Sequence, residues 1–187
     1  MSQPQRRYSL ADYFAIEEMS PVRHEFYRGE IFAMAGASVK HNLITVNVLT
    51  MLKVAMGRKR CNVFGSDLRI ATPSALYTYP DISVICGKIA LVSRAPDTAT
   101  NPVLLVEVLS DATRDYDRGE KFDLYKTIRT LHDYVLIEQD RVVVEHFTRR
   151  RGQWIKSSTA SLSGRVALSS LKVQLSVKDA YRGVFSR

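Results

Sequence analysis

Pro102-Val103-Leu104-Leu105-Val106-Glu107-Val108-Leu109 is the stretch on which the fold turns. Between its opening proline and its end, every residue except Glu107 is valine or leucine, the pattern of a strand buried on both faces of a sheet. Glu107 breaks that pattern. An ionised carboxylate inside such a strand loses hydration that the protein interior does not replace, so something must compensate it. A salt bridge or a raised pKa that keeps the group neutral is the structural answer. A bound cation is the functional one, because carboxylates at strand ends are hard oxygen ligands.

Working outward, a second β-rich run, Asp81-Ile82-Ser83-Val84-Ile85-Cys86, follows Pro80, which can stand only at a strand's start because it lacks the ladder donor. Adjacent strands would bring Asp81 and Glu107 together, although Asp81 alone reads more readily as a turn or capping residue. Downstream, Arg114 to Thr130 reads as a loop and helix, with Phe122, Leu124, Tyr125 and Ile128 apolar. That helix can carry Lys121 back over the strand's end, where an ammonium could orient a water and neutralise developing charge. By itself Lys121 also reads as a solvated lysine pairing with Asp117, four residues earlier.

The remaining elements complete an α/β pattern. Ser9 followed by Leu10-Ala11-Asp12 predicts a capped short helix ending near Pro21. Alternation from Arg23 to Ala35 predicts a hairpin with Gly29 in its turn and Phe26, Ile31 and Ala33 inward. Ser38 caps a longer helix to about Met56, with Leu43, Ile44, Val46, Leu49, Leu52 and Val54 at helical spacing and Gly57 as its stop. Cys61 to Ala71 reads as strand, Thr72 to Tyr79 as turn-rich, and Tyr134 to Ile137 with Val142 to Val144 as two strands joined across Gln139-Asp140. The tail, with Trp154, Val166, Leu168, Leu171 and Val173, offers further short strands and a last helix near Asp179. The fold class is therefore α/β, a mixed sheet flanked by helices with an N-terminal helix and hairpin. No repeat or linker divides the chain, so 187 residues read as one domain, with a core over about 8–147 and C-terminal strands over about 153–187.

Composition narrows the classes. Hydrophobic residues make up 45% and charged residues 25%, which excludes a disordered or fibrous chain. The basic leader Met1-Ser2-Gln3-Pro4-Gln5-Arg6-Arg7 runs into an acid-containing amphipathic stretch, and no apolar run approaches the roughly 20 residues of a membrane span. No membrane partner and a cytoplasmic location are expected. Cys61 and Cys86, in apolar runs without CxxC spacing, read as buried thiols more readily than as a disulfide or zinc ligands. The net charge of +8 favours a polyanionic partner, yet the clusters Arg58-Lys59-Arg60 and Arg149-Arg150-Arg151 each read as readily as solvated turns.

Taken together, Glu25…Gly29-Glu30-Ile31 with Met34, Ser38 and His41, Pro80-Asp81-Ile82-Ser83-Val84, Val106-Glu107-Val108-Leu109-Ser110 with Thr113, Tyr116-Asp117-Arg118-Gly119-Glu120-Lys121, Tyr125, and Asp133-Tyr134-Val135-Leu136 resemble the PD-(D/E)XK nuclease superfamily. Within it the resemblance is closest to the Uma-two family of restriction-endonuclease-like proteins, and it runs from about Tyr8 to Phe147. The resemblance implies a restriction-endonuclease-like core and a metal held by Asp81, Glu107 and the Val108 carbonyl, with magnesium as the metal and manganese as its substitute. It implies an endonuclease acting on DNA, with Lys121 catalytic and with Glu30 and His41 as accessory site residues that position water or metal. A departure stands at Leu109, where the superfamily pattern has lysine two residues after the glutamate; here the lysine is Lys121, as in Uma-type proteins. Arg114 and Arg118, beside the site, are candidate phosphate contacts.

Three readings stay open on the sequence. One is the DNA endonuclease, for which a homodimer is the simplest route to cutting two strands. Another is a catalytically silent nucleic-acid-binding or protein-interaction module on the same fold. The third is hydrolysis of a small phosphorylated substrate in a closed pocket.

Overall fold

Ser9 opens the first helix for the reason its sequence implies: its hydroxyl accepts the Asp12 amide while the Asp12 carboxylate accepts the Ser9 amide, a reciprocal capping box. In this computed structural model, which describes residues 7–93, 95 and 97–185, that helix is α1 (Leu10–Met19). The leading residues 1–6 lie outside the described part. A hairpin follows, β1 (His24–Tyr27) and β2 (Glu30–Ala33), closed by Arg28 and Gly29 at φ 50° and 85°, the positive pair that a tight two-residue turn requires. Phe26 is buried and Ile31 half-buried as the alternation predicts; Ala33, at the open end of the ladder, is exposed.

Helix α2 (Val39–Met56) is capped by Ser38, whose hydroxyl accepts the His41 amide, and ends at Gly57 with φ 42°. Ile44, Val48, Leu52 and Met56 form its buried stripe, one residue per turn. Leu43, Val46 and Val54, also expected to face the core, are exposed. The helix rests on one sheet face only, so the arc it buries is narrower than the apolar pattern allows.

The strands then alternate between two sheets. The expected single run from Cys61 to Ala71 is split at residues 65–68 into β3 (Cys61–Phe64) and β4 (Arg69–Ala71), which join different sheets. After β5 (Tyr77–Thr78) come β6 (Ile82–Cys86), β7 (Thr98–Ala99) and β8 (Leu104–Leu109). Helices α3 (Arg114–Arg118) and α4 (Glu120–Tyr125), divided at Gly119, lead to β9 (Asp133–Glu138), β10 (Val144–Arg150) and β11 (Gln153–Thr159). The tail forms β12 (Arg165–Leu168), β13 (Val173–Ser176) and α5 (Val177–Ala180).

The main sheet has the order β11-β10-β9-β8-β6-β3, parallel at β8/β9 and otherwise antiparallel. A second sheet, β2-β1-β5-β4-β7, carries the hairpin, and β12 pairs with β13. Strand β8 is buried on both faces as its run predicts: Leu104, Val106 and Val108 pack with α2 and the C-terminal elements, while Leu105 and Leu109 pack with Phe122, Tyr125 and Tyr134. The architecture is the expected mixed sheet between helices. Among the described residues, no helix is long and apolar enough to cross a membrane.

One expectation is corrected. Cys61 and Cys86 are not free buried thiols but a disulfide, and both are half-buried. They are partners in the β3/β6 register, directly opposite each other. That register comes from the pairing of two strands, and nothing in either apolar run announces it.

Candidate active site

Strands β6 and β8 run antiparallel with Ile82 opposite Val106, so Asp81, just before β6, lands beside Glu107. The Asp81 amide donates to Glu107 Oε2 at 3.3 Å, and the Val108 amide donates to Asp81 Oδ2 at 2.7 Å. The first turn of α2 delivers His41 to the same place, with Nε2 3.1 Å from Asp81 Oδ2. His41 also hydrogen-bonds the Val108 backbone. Burial alone pulls its pKa down; the Asp81 carboxylate and the Val108 carbonyl outweigh that and set it above the ordinary histidine value.

On the other face of Glu107 stands Lys121, buried on α4, with Nζ 3.0 Å from Glu107, 3.1 Å from Glu25 and 3.2 Å from Asp117. The Tyr125 hydroxyl donates to Glu107 Oε1 at 2.8 Å, and the Thr78 hydroxyl donates to Glu25. Burial pushes the Glu107 carboxyl up to about 8, with Asp117 and Asp81 adding to the rise and Lys121 opposing it. Burial disfavours the Lys121 ammonium, but Glu107, Glu25 and Asp117 overcome this and hold its pKa well above the usual lysine range.

This donor set fits a divalent cation. With every group charged, the carboxylates of Glu25, Asp81, Glu107 and Asp117 face, among the described residues, the cations Lys121 and His41. The balance is negative, and it stays negative with Glu107 protonated, so a bound cation offsets it. His41 spans Asp81 and the Val108 backbone, so its ring lies between two of the expected oxygen ligands. Among the described residues, no group of three or more His, Cys, Asp or Glu side chains forms a ready cage. Two carboxylates and a carbonyl would leave the remaining positions to water and substrate, as suits magnesium.

Asp81, Glu107, Val108, His41 and Lys121 are thus brought together from β6, β8, α2 and α4. Among the described residues, Glu30 makes no side-chain hydrogen bond or ion pair with them. The pairs Glu25↔Phe32 and Tyr27↔Glu30 put Glu30 on the same hairpin face as Glu25, but it is Glu25 that reaches Lys121. Arg114 and Arg118 stand at the same sheet end and are engaged by carboxylates. Arg114 Nη2 lies 2.9 Å from Asp111 and 3.1 Å from Glu138, and Arg118 lies 2.6 Å from Glu138 and 2.9 Å from Glu145. Burial opposes the Arg118 charge, yet those two acids raise its pKa. Glu138 itself is buried, opposite Leu109 in the β8/β9 register.

Glu25 and Tyr125 were not singled out as site residues in the sequence. Tyr125 could have been, since Asp117, Lys121 and Tyr125 recur at four-residue spacing and so share a helical face. Leu109, at the superfamily's lysine position, is buried in the core against the α4 side of the sheet, so a lysine there would point into packed side chains.

A family model described as "Uma2: Putative restriction endonuclease" matches residues 10–178. Two proteins of Synechocystis sp. (strain PCC 6803), both described as uncharacterized, are similar over nearly their whole lengths. The protein sll1609 is 34% identical over 167 residues, which is 88% of this chain and 94% of that protein. The protein slr1290 is 34% identical over 185 residues, 98% of this chain and 96% of the relative. Among solved structures, "a putative nuclease belonging to DUF820" from Anabaena variabilis ATCC 29413 superposes with a TM-score of 0.73, covering 92% of this chain and 99% of that one. At 18% identity that likeness establishes the shared fold alone.

Proposed function

The chain belongs to the Uma2 family, and from that membership and the site's geometry we propose that it is a metal-dependent endonuclease that hydrolyses DNA phosphodiester bonds. One observation carries the reading: Asp81, Glu107 and the Val108 carbonyl meet at one end of the main sheet, with the carboxylates of Glu25 and Asp117 close by on Lys121. Asp81, Glu107 and the Val108 carbonyl would hold magnesium or manganese, which when bound polarises the phosphate and makes a water acidic enough to attack.

The chain's own residues supply the rest. Lys121 keeps Glu107 oriented and favours its ionised form, and Glu25 and Asp117 fix the ammonium in turn. The Tyr125 hydroxyl holds the second bond to Glu107 Oε1. His41 shares a proton with Asp81 at 3.1 Å and can hold or release one beside the reacting phosphate. Glu30, on the hairpin face that carries Glu25, is assigned a water-positioning role at the rim. Arg114, partly exposed, would contact a phosphate, with Arg118 behind it on α3. Two copies acting together would cut both strands.

The test is plasmid nicking with magnesium or manganese by the wild type and by Asp81→Ala. Cleavage by the wild type and its loss in the variant are expected; an inactive wild type over a broad panel of DNA, RNA and phosphoester substrates rejects the enzyme. A catalytically silent binding module is favoured by one feature: Lys121, Arg114 and Arg118 are all already paired with carboxylates. Salt-sensitive DNA binding indifferent to metal and to Glu107→Gln would establish that alternative.

A further inference from the structure

The net charge of +8 is unevenly placed. Residues 31–66, 82–96 and 146–178 contain no Asp or Glu. These stretches supply β3, β6, β11, the β12/β13 pair and most of β10. Strand direction decides where their cations go. The acids of the candidate site lie where β6 begins and β8 ends, whereas β3 and β8 begin, and β6 and β10 end, at the opposite edge. The two edges are separated by the length of β8, roughly 17 Å.

At that far edge stand Arg58, Arg60, Lys88, Arg129, Arg150 and Arg151, all exposed. Among the described residues, none of the six is in an ion pair with a carboxylate. They form one band. The Gly87 amide donates to the Arg60 carbonyl at 2.7 Å, joining Arg60 to Lys88, and the two residues flank a cleft of about 330 Å³. Lys59 donates to the Leu171 carbonyl at 2.8 Å, which brings in Lys172. Ser170 bonds Asp133 at the start of β9, and the Arg149 amide bonds the His132 carbonyl at 2.7 Å, reaching Arg150 and Arg151. The acids nearby are already satisfied, Asp133 by His146 and Ser170 and Asp123 by Lys126. From β3 to β10 the band crosses four strand spacings, roughly 19 Å.

We propose that this far edge is a second nucleic-acid contact, an anchor for the phosphodiester backbone of duplex DNA separate from the site that would cut it. Five of the six named cations are arginines, whose planar fork suits phosphate oxygens. A span of roughly 19 Å matches five to six base pairs of duplex at about 3.4 Å each. An anionic membrane fits less well, because none of the exposed large apolar side chains that would insert into it falls within residues 58–60, 87–88, 129–130, 149–152 or 169–172. The choice of DNA as the polyanion rests on the nuclease reading, but the contact itself needs neither metal nor catalysis.

The experiment is fluorescence anisotropy of a labelled duplex of about 20 base pairs, in EDTA, from about 50 to 200 mM salt. The wild type binds with a steep salt dependence. The variant R58Q/R60Q/R150Q/R151Q binds more weakly, and its loss of affinity across that salt range is about 100-fold smaller, as removal of four phosphate contacts requires. The halves R58Q/R60Q and R150Q/R151Q each give about a tenfold change and keep the test sound if the full variant melts early. K178Q/R182Q, which removes two charges away from the band as each half does within it, binds as the wild type does. Unchanged affinity and salt slope in the band variants overturn the anchor. So does charge-dependent capture of phosphatidylserine vesicles without duplex binding. Because EDTA prevents cleavage, a failed nicking assay leaves this measurement standing, and a failed anchor leaves the nicking assay standing.

Discussion

Lys121→Met removes the ammonium and keeps most of the side chain's volume. Lys121 is buried, and its Nζ lies 3.0, 3.1 and 3.2 Å from Glu107, Glu25 and Asp117, all of them largely shielded from water. Removing one partner of a buried ion pair costs about 3–5 kcal/mol, because the remaining charge is left uncompensated. In a domain of this size each kcal/mol moves Tm by roughly 2–4 °C, so a loss of roughly 6–20 °C is expected. The loss depends on pH. Glu107 already has its pKa raised to about 8, and without Lys121 it rises further, so the loss grows as pH climbs towards 8 and Glu107 begins to ionise beside an ammonium that the variant lacks. Urea unfolding of wild type and variant in EDTA, at pH 8 and pH 5, measures both effects. The cost should be largest at pH 8 and should shrink at pH 5. A loss below about 1 kcal/mol, equal at both pH values, would refute the view that Lys121 holds a buried cluster of acids together.

The metal-free wild type should itself lose stability as pH rises. Glu107 folds with its pKa pushed from 4.5 up to about 8, so its contribution is fully present below about 4.5 and is lost as pH climbs through about 8. His41, raised above 6.5, acts in the same direction. Asp133, Glu138 and Glu145 have lowered pKa values and lose their contributions only in acid, as pH falls through those values. Differential scanning fluorimetry in EDTA should therefore show a falling Tm from pH 5.5 to 8.5, and magnesium should raise Tm more at the upper end; a rising Tm would contradict the assignment. Cys61→Ser with Cys86→Ser opens a loop with a separation of 25 residues. Loop-closure entropy puts the cost at about 3.5 kcal/mol, to be read as a lower urea midpoint that matches the reduced wild type. Equal midpoints for oxidised wild type and the double variant would show that the disulfide does not constrain the unfolded chain.

Local elements were legible because their signals are local. The Ser9 and Ser38 caps, the Gly29 turn, the stop at Gly57 and the doubly buried run at Leu104–Leu109 each follow from neighbouring residues and a period of two or 3.6. Glu107 announced itself as a carboxylate in an apolar strand, and motif order carried Asp81, His41 and Lys121 with it. Glu25 was not separable from Glu30, since both lie on the same hairpin face and only its docking against α4 decides which one reaches Lys121.

The amino-acid sequence by itself determined the longer helices, the hairpin and the central strands, the family and the acids Asp81 and Glu107 of the candidate site. The separation of β4 from β3 and the short strands β5 and β7 of the second sheet were not legible in it. Tertiary structure alone decided the partners: Glu25 and Tyr125 at Lys121 and Glu107, Glu138 at Arg114 and Arg118, Cys61 opposite Cys86, and the collection of cations at the edge far from the acids. Periodicity states which face of a strand is apolar. Register and strand direction, which place two distant residues side by side, exist only once the strands have paired.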